Sequence, residues 1–183
     1  MNTLVVNFSG RQSNGKGNCE QVGRYIIELL GEDSKLINYS TLNISPCNRC
    51  EYECLFNTPV QCRFSCDDLS SLYDAIQSSD FIYFIIPVYS DYPCSNYFTF
   101  RERGQGYFND ENYLEFSGKI IKFVIISNTG YYNVLNVIKN DFPNIHDDSI
   151  LLLSSNDYGQ KSKDGCLHSA AGVKEKIKHF IDT

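Results

Sequence analysis

The stretch that decides the fold runs from an apolar segment into a polar, glycine-rich one: Thr3-Leu4-Val5-Val6, then Asn7-Phe8-Ser9-Gly10-Arg11-Gln12-Ser13-Asn14-Gly15-Lys16-Gly17-Asn18-Cys19. The next segment is amphipathic, because Val22, Ile26, Leu29 and Leu30 share one helical face. A strand, a glycine-rich loop and a helix in this order present backbone N–H groups at the positive end of a helix dipole. We therefore predict an anion site, for a phosphate, where the first strand turns into the first helix.

Five short apolar runs, separated by helical patterns, recur along the 183 residues: 3–8, 35–39, 81–86, 120–126 and 149–153. The third and fourth are nearly continuous and rich in β-branched and aromatic residues, as in strands buried on both faces of a parallel sheet. We predict a single α/β domain over residues 1–183, with a flavodoxin-like doubly wound five-stranded parallel sheet of order 2-1-3-4-5. In that order a crevice opens between strands one and three, bordered by loops at 9–18 and 87–94.

The first loop also matches part of a nucleotide-binding P-loop, since Gly10 to Lys16 fits the pattern G-x-x-x-x-G-K. The next residue is Gly17, where a P-loop needs a Ser or Thr hydroxyl for magnesium, and the dinucleotide fingerprint G-x-G-x-x-G is absent. The pattern therefore favours a monophosphate held without metal by Ser9, Ser13, backbone amides and Arg11. A glycine-rich surface turn is the alternative.

The residues Ser9-Gly10-Arg11 and Gly17-Asn18-Cys19 resemble the loop G-S-P-R-x-x-G-N-[ST] of the NADPH-dependent FMN reductase superfamily, and within it the iron–sulfur flavoprotein branch related to multimeric flavodoxins. Three residues are inserted relative to that pattern, and Cys19 stands where the family has a hydroxyl. The resemblance implies that FMN is the ligand. It also implies the phosphate contacts: Ser9, Arg11, Ser13, Gly17, Asn18 and Cys19.

Two later loops resemble the family's flavin-contacting segments. One follows the third apolar run and supplies Pro87, Val88, Tyr89, Ser90 and Tyr92. The other follows the fourth run and supplies Asn128, Thr129, Gly130 and Tyr131. The resemblance implies that Tyr89 and Tyr92 lie against the isoalloxazine. It also implies that N–H groups of the later loop face the N1–C2=O edge of reduced flavin.

Five of the eight cysteines cluster in an insertion at about 45–66, followed by Asp67-Asp68 at a helix start. The segment resembles the family's C-x-x-C-x-x-C with a later cysteine, although one spacing is a residue longer. This implies a [4Fe–4S] cluster whose ligands are Cys47, Cys50, Cys54 and Cys62, with Cys66 as substitute. A zinc site and reduced thiols remain the alternatives.

The family resemblance implies an FMN oxidoreductase that takes hydride from NAD(P)H at flavin N5 and reduces a quinone, another flavin or a metal complex. No side chain is needed as a catalytic acid or base. The alternative is an electron carrier of flavodoxin or iron–sulfur flavoprotein type, and a third possibility is a zinc-binding regulatory module. The resemblance also implies a homodimer or homotetramer, with residues 97–108 as the interface.

The net charge of −6 argues against a nucleic-acid partner, which would require a basic surface. No apolar stretch reaches the ~20 residues that cross a bilayer, so we expect no membrane association. The chain shows no basic, apolar leader before its first strand. The expected location is therefore the cytoplasm.

Overall fold

The computed structural model describes residues 2–11, 16–47, 67–104 and 118–183. The strands are β1 (Thr3–Asn7), β2 (Ser34–Asn38), β3 (Phe81–Tyr89), β4 (Tyr92–Pro93), β5 (Ile120–Ser127) and β6 (Ile150–Ser154). The helices are α1 (Asn18–Leu30), α2 (Leu69–Gln77), α3 (Ser95–Gly104), α4 (Tyr132–Asp141) and α5 (Val173–Asp182). In the described ranges, none of these helices is long and apolar enough to cross a membrane.

Five strands run parallel in the order β2-β1-β3-β5-β6. With the two-residue β4 set aside, this is the order 2-1-3-4-5, so the predicted flavodoxin-like sheet is confirmed. The register places Thr3 beside both Ser34 and Phe81, so β2, β1 and β3 begin at the same level and β3 continues beyond the end of β1. The winding direction therefore reverses between β1 and β3, which puts their carboxyl ends at the topological switch point.

Both faces of the sheet are buried because successive strand residues point to opposite sides. On one side Leu4, Val6, Phe84 and Phe123 share a cluster with apolar residues of α2, α3 and α4. On the other side Val5, Ile85, Val124 and Leu153 pack with α1 and α5. The near-continuous apolar runs in the sequence follow from this two-sided burial.

The segment after the third apolar run differs from the predicted loop at 87–94. Strand β3 continues to Tyr89 and turns back into β4, with Tyr89 paired to Tyr92. The two turn residues, Ser90 and Asp91, have φ angles of 50° and 68°. A two-residue hairpin turn with left-handed backbone normally carries glycine or asparagine, so Ser-Asp gave no hairpin signal in the sequence.

Helix α3 contains the described part of the predicted interface at 97–108. Tyr97 and Phe100 are buried in the core, and both rings contact Phe8. These aromatic side chains therefore serve packing within the chain. Positions 105–108 lie outside the described residues.

Candidate functional site

The phosphate loop begins with a set of short hydrogen bonds at the end of β1. The side chain of Asn7 accepts the N–H of Ser9 at 3.0 Å and donates to Asn38 Oδ1 at 2.9 Å. The buried Ser9 accepts the N–H of Arg11 on its Oγ at 3.3 Å. These bonds fix the turn out of β1, and Ser13 lies outside the described residues.

The other end of the loop starts helix α1. Gly17 is the N-cap residue, no side chain caps the helix there, and Asn18 and Cys19 form its first turn. The N–H groups of a first turn have no partner inside the helix. Together with the Ser9 hydroxyl and the Arg11 guanidinium, they form a donor set suited to a phosphate.

A fourth segment, the loop after β6, packs on the phosphate loop, and sequence reasoning missed it. The carbonyl of Ser162 accepts hydrogen bonds from Arg11 Nη1 at 3.3 Å and from Asn18 Nδ2 at 3.4 Å. The N–H of Leu167 donates to Asn18 Oδ1 at 3.1 Å. The side chain of Asn18, predicted to bind the cofactor, thus also holds this loop.

The two loops approach each other closely at Gly165. Its φ is +68°, and a Cβ built there would lie 1.7 Å from the carbonyl oxygen of Lys16. Only glycine fits, because a side chain would collide with backbone rather than with a movable group. A glycine in a polar segment is a weak signal, and it could not have identified the partner loop.

Cys19 is a buried thiol beneath the phosphate loop. Burial raises its pKa to about 12, Cys94 acts in the same direction, and Arg11 and the Ser9 hydroxyl partly oppose it. A helix N-terminus normally favours a thiolate, but desolvation outweighs that effect here. Cys19 is therefore a neutral, unreactive thiol at neutral pH.

Tyr89 links the ring side of the crevice to the phosphate side. Burial raises the pKa of the Tyr89 hydroxyl, and Cys19 raises it further. Arg11 and a side-chain hydrogen bond with Ser9 lower it in part. The Tyr89 hydroxyl therefore lies close to the phosphate loop, while about half of the residue stays exposed. This places one aromatic ring between the two predicted halves of the site.

The start of α3 is attached to the same loop. Asn96 Nδ2 donates to the carbonyl of Phe8 at 2.9 Å, and the Cys94 thiol donates to the same oxygen at 3.2 Å. Burial raises the pKa of Cys94 to about 11, although nearby N–H groups lower it in part. Cys94 thus serves as a small buried residue, and its geometry supports packing rather than electron relay.

Asp91 joins the second and third predicted flavin loops. Its carbonyl accepts the N–H of Val134 at 3.0 Å, and its Oδ2 accepts the N–H of Asn133 at 3.3 Å. A Cβ built on Gly130 would lie 2.9 Å from Asp91 Oδ1. The loop after β5 is also bonded to the end of β6, because Ser154 Oγ donates to the carbonyl of Asn128 at 2.8 Å.

Several large apolar residues at this edge of the sheet are exposed, and all of them are tyrosines: Tyr89, Tyr92, Tyr131 and Tyr132. Tyr132 is the most open, at 71% exposure. The other predicted ring contacts divide into two groups. Pro87 and Val88 are buried or half-buried within β3, whereas the loop positions are exposed: Ser90, Asn128, Thr129 and Gly130.

The predicted metal ligands fall almost entirely outside the described residues. Of the five cysteines, the structure describes only Cys47, which is half-buried, and leaves out Cys50, Cys54, Cys62 and Cys66. Within residues 2–11, 16–47, 67–104 and 118–183, no group of three His, Cys, Asp or Glu side chains is arranged to hold a metal ion.

The two flanks of the cysteine-rich segment are held side by side. Arg103 donates from Nη1 to the carbonyl of Ser45 at 2.6 Å and to Asp67 Oδ2 at 2.7 Å. Asp68 Oδ2 accepts the N–H of Asn43 at 2.7 Å. The predicted acidic pair therefore closes the base of the insertion, and Asp67 Oδ1 accepts the N–H of Leu69 at the start of α2.

No family model matches the chain, and no curated protein matches it. Among solved structures, it is similar to an FMN-dependent NADH-azoreductase from Bacillus anthracis in complex with FMN (TM-score 0.68, 10% identity, 98% of this chain and 99% of that one). It is also similar to the Trp repressor binding protein from Bacillus subtilis (TM-score 0.66, 12% identity, 98% and 97%). A third likeness is to RosB with bound 8-demethyl-8-formylriboflavin-5'-phosphate (TM-score 0.66, 12% identity, 100% and 81%). At these identities the likeness concerns architecture, and the chain has the flavodoxin-like fold of these proteins.

Proposed function

We propose that this protein binds FMN non-covalently at the carboxyl ends of β1, β3 and β5 and acts as an FMN-dependent oxidoreductase. One observation carries the proposal: the three loops expected from the family resemblance meet at one edge of the sheet. The Tyr89 hydroxyl lies near Ser9 and Arg11, and Asp91 joins the other two loops. Two of the structural neighbours hold FMN or a riboflavin phosphate.

The residues present fit the phosphate end of FMN. A phosphate dianion needs several N–H or O–H donors and a nearby positive charge. Ser9, Arg11 and the first turn of α1 supply these, and Arg11 would turn from the Ser162 carbonyl, at 3.3 Å, toward the phosphate. The buried, neutral Cys19 adds no negative charge that would repel the ligand.

The residues at the ring end fit a planar aromatic group. Tyr89 and Tyr92 lie across the β3–β4 hairpin from one another, and Tyr131 lies at the start of α4. Exposed tyrosine faces favour stacking on another ring. When bound, FMN supplies hydride and single-electron chemistry, while the protein orients it and excludes water from one side.

We further propose that NAD(P)H is the electron donor and that the acceptor is a small molecule: a quinone, another flavin or a metal complex. The Bacillus anthracis neighbour, described as an NADH-azoreductase, supports this choice. A homodimer or homotetramer and a single domain remain part of the proposal.

The test is an FMN titration of the purified protein, with a double variant at the phosphate loop. S9A/R11A should weaken FMN binding at least about tenfold, equivalent to ~1.4 kcal/mol. The control S78A/R24A removes the same groups from exposed positions, one directly after α2 and one within α1, and should bind like the wild type. Unchanged affinity in S9A/R11A would refute the phosphate-loop assignment.

Assays on the purified wild-type protein distinguish the reductase from the alternative functions. Steady oxidation of NAD(P)H with a quinone favours the reductase, whereas FMN binding without pyridine-nucleotide oxidation favours the electron carrier. A protein that binds zinc and no flavin favours the regulatory module. Metal and sulfide analysis of anaerobically purified protein decides whether Cys47 and its neighbours hold an iron–sulfur cluster, zinc or neither.

A further inference from the structure

The positive end of helix α4 is already occupied by a negative charge. Tyr131, the N-cap residue, makes no side-chain capping bond. The two N–H groups that a capping side chain would satisfy, those of Asn133 and Val134, are instead bonded to Asp91, through Oδ2 and the carbonyl. The cap of α4 thus comes from a different loop, 42 and 43 residues before the two N–H groups that it binds.

Backbone geometry restricts the position of this carboxylate. Ser90 and Asp91 hold left-handed φ angles of 50° and 68°, which set the direction of the turn. Gly130 leaves just enough room, since an added Cβ would lie 2.9 Å from Oδ1 and 3.2 Å from Cγ. Among the described residues, the buried Oδ1 has no hydrogen-bond partner. Part of the charge is therefore left uncompensated.

The Asp91 carboxylate changes the electrostatic field that a ligand beside the loop after β5 would experience. A helix N-terminus carries roughly half a positive charge, which would stabilise an electron-rich ligand edge. A full negative charge on Asp91 outweighs it, and Asp91 accepts the N–H groups of Asn133 and Val134 in the first turn of α4. The resemblance implies that N–H groups of residues 128–131 favour reduced flavin, whereas the Asp91 carboxylate beside Gly130 acts in the opposite direction.

On the basis of the proposed function, we propose that Asp91 is a positioning residue that holds the two flavin loops together and makes bound FMN harder to reduce. Uptake of two electrons and one proton turns the oxidised ring into a reduced ring with one additional negative charge. The electrons come from NAD(P)H as hydride, or from dithionite in the test below. A nearby carboxylate raises the free energy of that added charge, so reduced FMN binds more weakly than oxidised FMN.

The test is Asp91→Asn, because asparagine keeps the shape, tolerates positive φ and still caps a helix while removing the charge. The dissociation constant of oxidised FMN and the midpoint potential of bound FMN are measured together, and they give the affinity for reduced FMN. We expect the ratio of reduced to oxidised affinity to rise about tenfold, which corresponds to a potential about 30 mV higher for a two-electron couple.

Asp80→Asn is the matched control. Asp80 also uses a carboxylate oxygen to accept a backbone N–H, that of Asn2 at 3.0 Å, but it lies at the opposite end of β3. The nine residues of β3 separate the two carboxylates by roughly 30 Å. Since the screening length is ~8 Å at physiological salt, the control should leave the potential unchanged.

A D91N protein that binds FMN with the wild-type potential overturns the inference, since a purely structural cap would behave in this way. If D91N does not fold, Asp91→Ser, with a shorter neutral capping group, must show the same rise. A wild type that binds no FMN overturns the proposed function, and this inference with it. If the wild type binds FMN and neither D91N nor D91S changes the potential, only the inference is overturned.

Discussion

Arg103 Nη1 lies 2.7 Å from Asp67 Oδ2, and this is the most deeply buried ion pair in the described part of the chain, with side-chain exposures of 0% and 8%. The guanidinium also bonds to the carbonyl of Ser45. The pair thus ties the end of α3 to both flanks of the cysteine-rich segment. A charge that loses its partner in such a site has no water to compensate it.

Arg103→Met should lower the free energy of unfolding by about 3–5 kcal/mol, because it leaves Asp67 buried and unpaired. The matched control is Arg101→Met, two residues away, whose partner Asp141 belongs to a half-exposed pair. That control should cost no more than about 1 kcal/mol. Urea unfolding followed by circular dichroism measures both, and equal losses would contradict the assigned difference in burial.

Acid should weaken the fold through the same pair. Burial acts to raise the pKa of Asp67, but hydrogen bonds from Arg103, Ser45 and Leu69 outweigh it and hold the pKa below its usual value. The unfolded pKa is about 3.9, so the stabilisation is complete above that pH and is lost as pH falls through the folded pKa.

Below about pH 4 the unfolding free energy of the wild type should therefore fall more steeply than that of Asp67→Asn, which cannot titrate at this position. Urea unfolding at a series of pH values from 6 to 3 gives the two slopes. Parallel slopes would show that the Asp67 carboxyl has an ordinary pKa in the folded state.

Gly165→Ala should separate the loop after β6 from the phosphate loop. The new methyl group would meet the Lys16 carbonyl at 1.7 Å, so one backbone must move. Gly159→Ala is a close control, because Gly159 has a similar φ of +62° and nothing within 4 Å of the added atom. The left-handed backbone costs both variants roughly 1–2 kcal/mol.

Only G165A should lose more stability than that and also weaken FMN binding, by at least about tenfold. Thermal unfolding and FMN titration of the two variants provide the comparison. If G159A and G165A behave alike, the contact between the loops does not support the site.

Cys19 and Cys94 should resist alkylation in the folded protein. Both are buried, and burial raises their pKa values to about 12 and about 11, so the reactive thiolate is scarce at pH 8. Cys166 is exposed and should react quickly. Iodoacetamide labelling followed by peptide mass mapping distinguishes the sites, and rapid modification of Cys19 would contradict its placement beneath the phosphate loop.

The sheet could be predicted from the sequence because both of its faces are buried. Runs such as Phe81 to Ile86 and Ile120 to Ile126 have no polar alternation, and that pattern belongs to parallel strands covered by helices. The position of the phosphate loop followed from the same local order of strand, loop and helix. Each of these signals lies within a dozen residues of the chain.

The contacts that complete the site carried no such local signal. Asn18 bonds to Leu167 and Ser162, 149 and 144 positions away, and topology alone brings them together. The β3–β4 turn uses Ser90 and Asp91 in a conformation that usually requires glycine or asparagine. Capping of α4 by Asp91 depends on that turn, so it could not be predicted either.

The dependence of the first loop on the loop after β6 has a consequence for biosynthesis. A ribosome releases the N-terminal loop long before Ser162 and Leu167 have been made, so a nascent chain can form β1 and α1 without the contacts that complete the pocket. Competence to hold a ligand is then acquired only near the end of translation. Chains shortened before position 162 would keep every predicted phosphate contact and still lack the support beneath them.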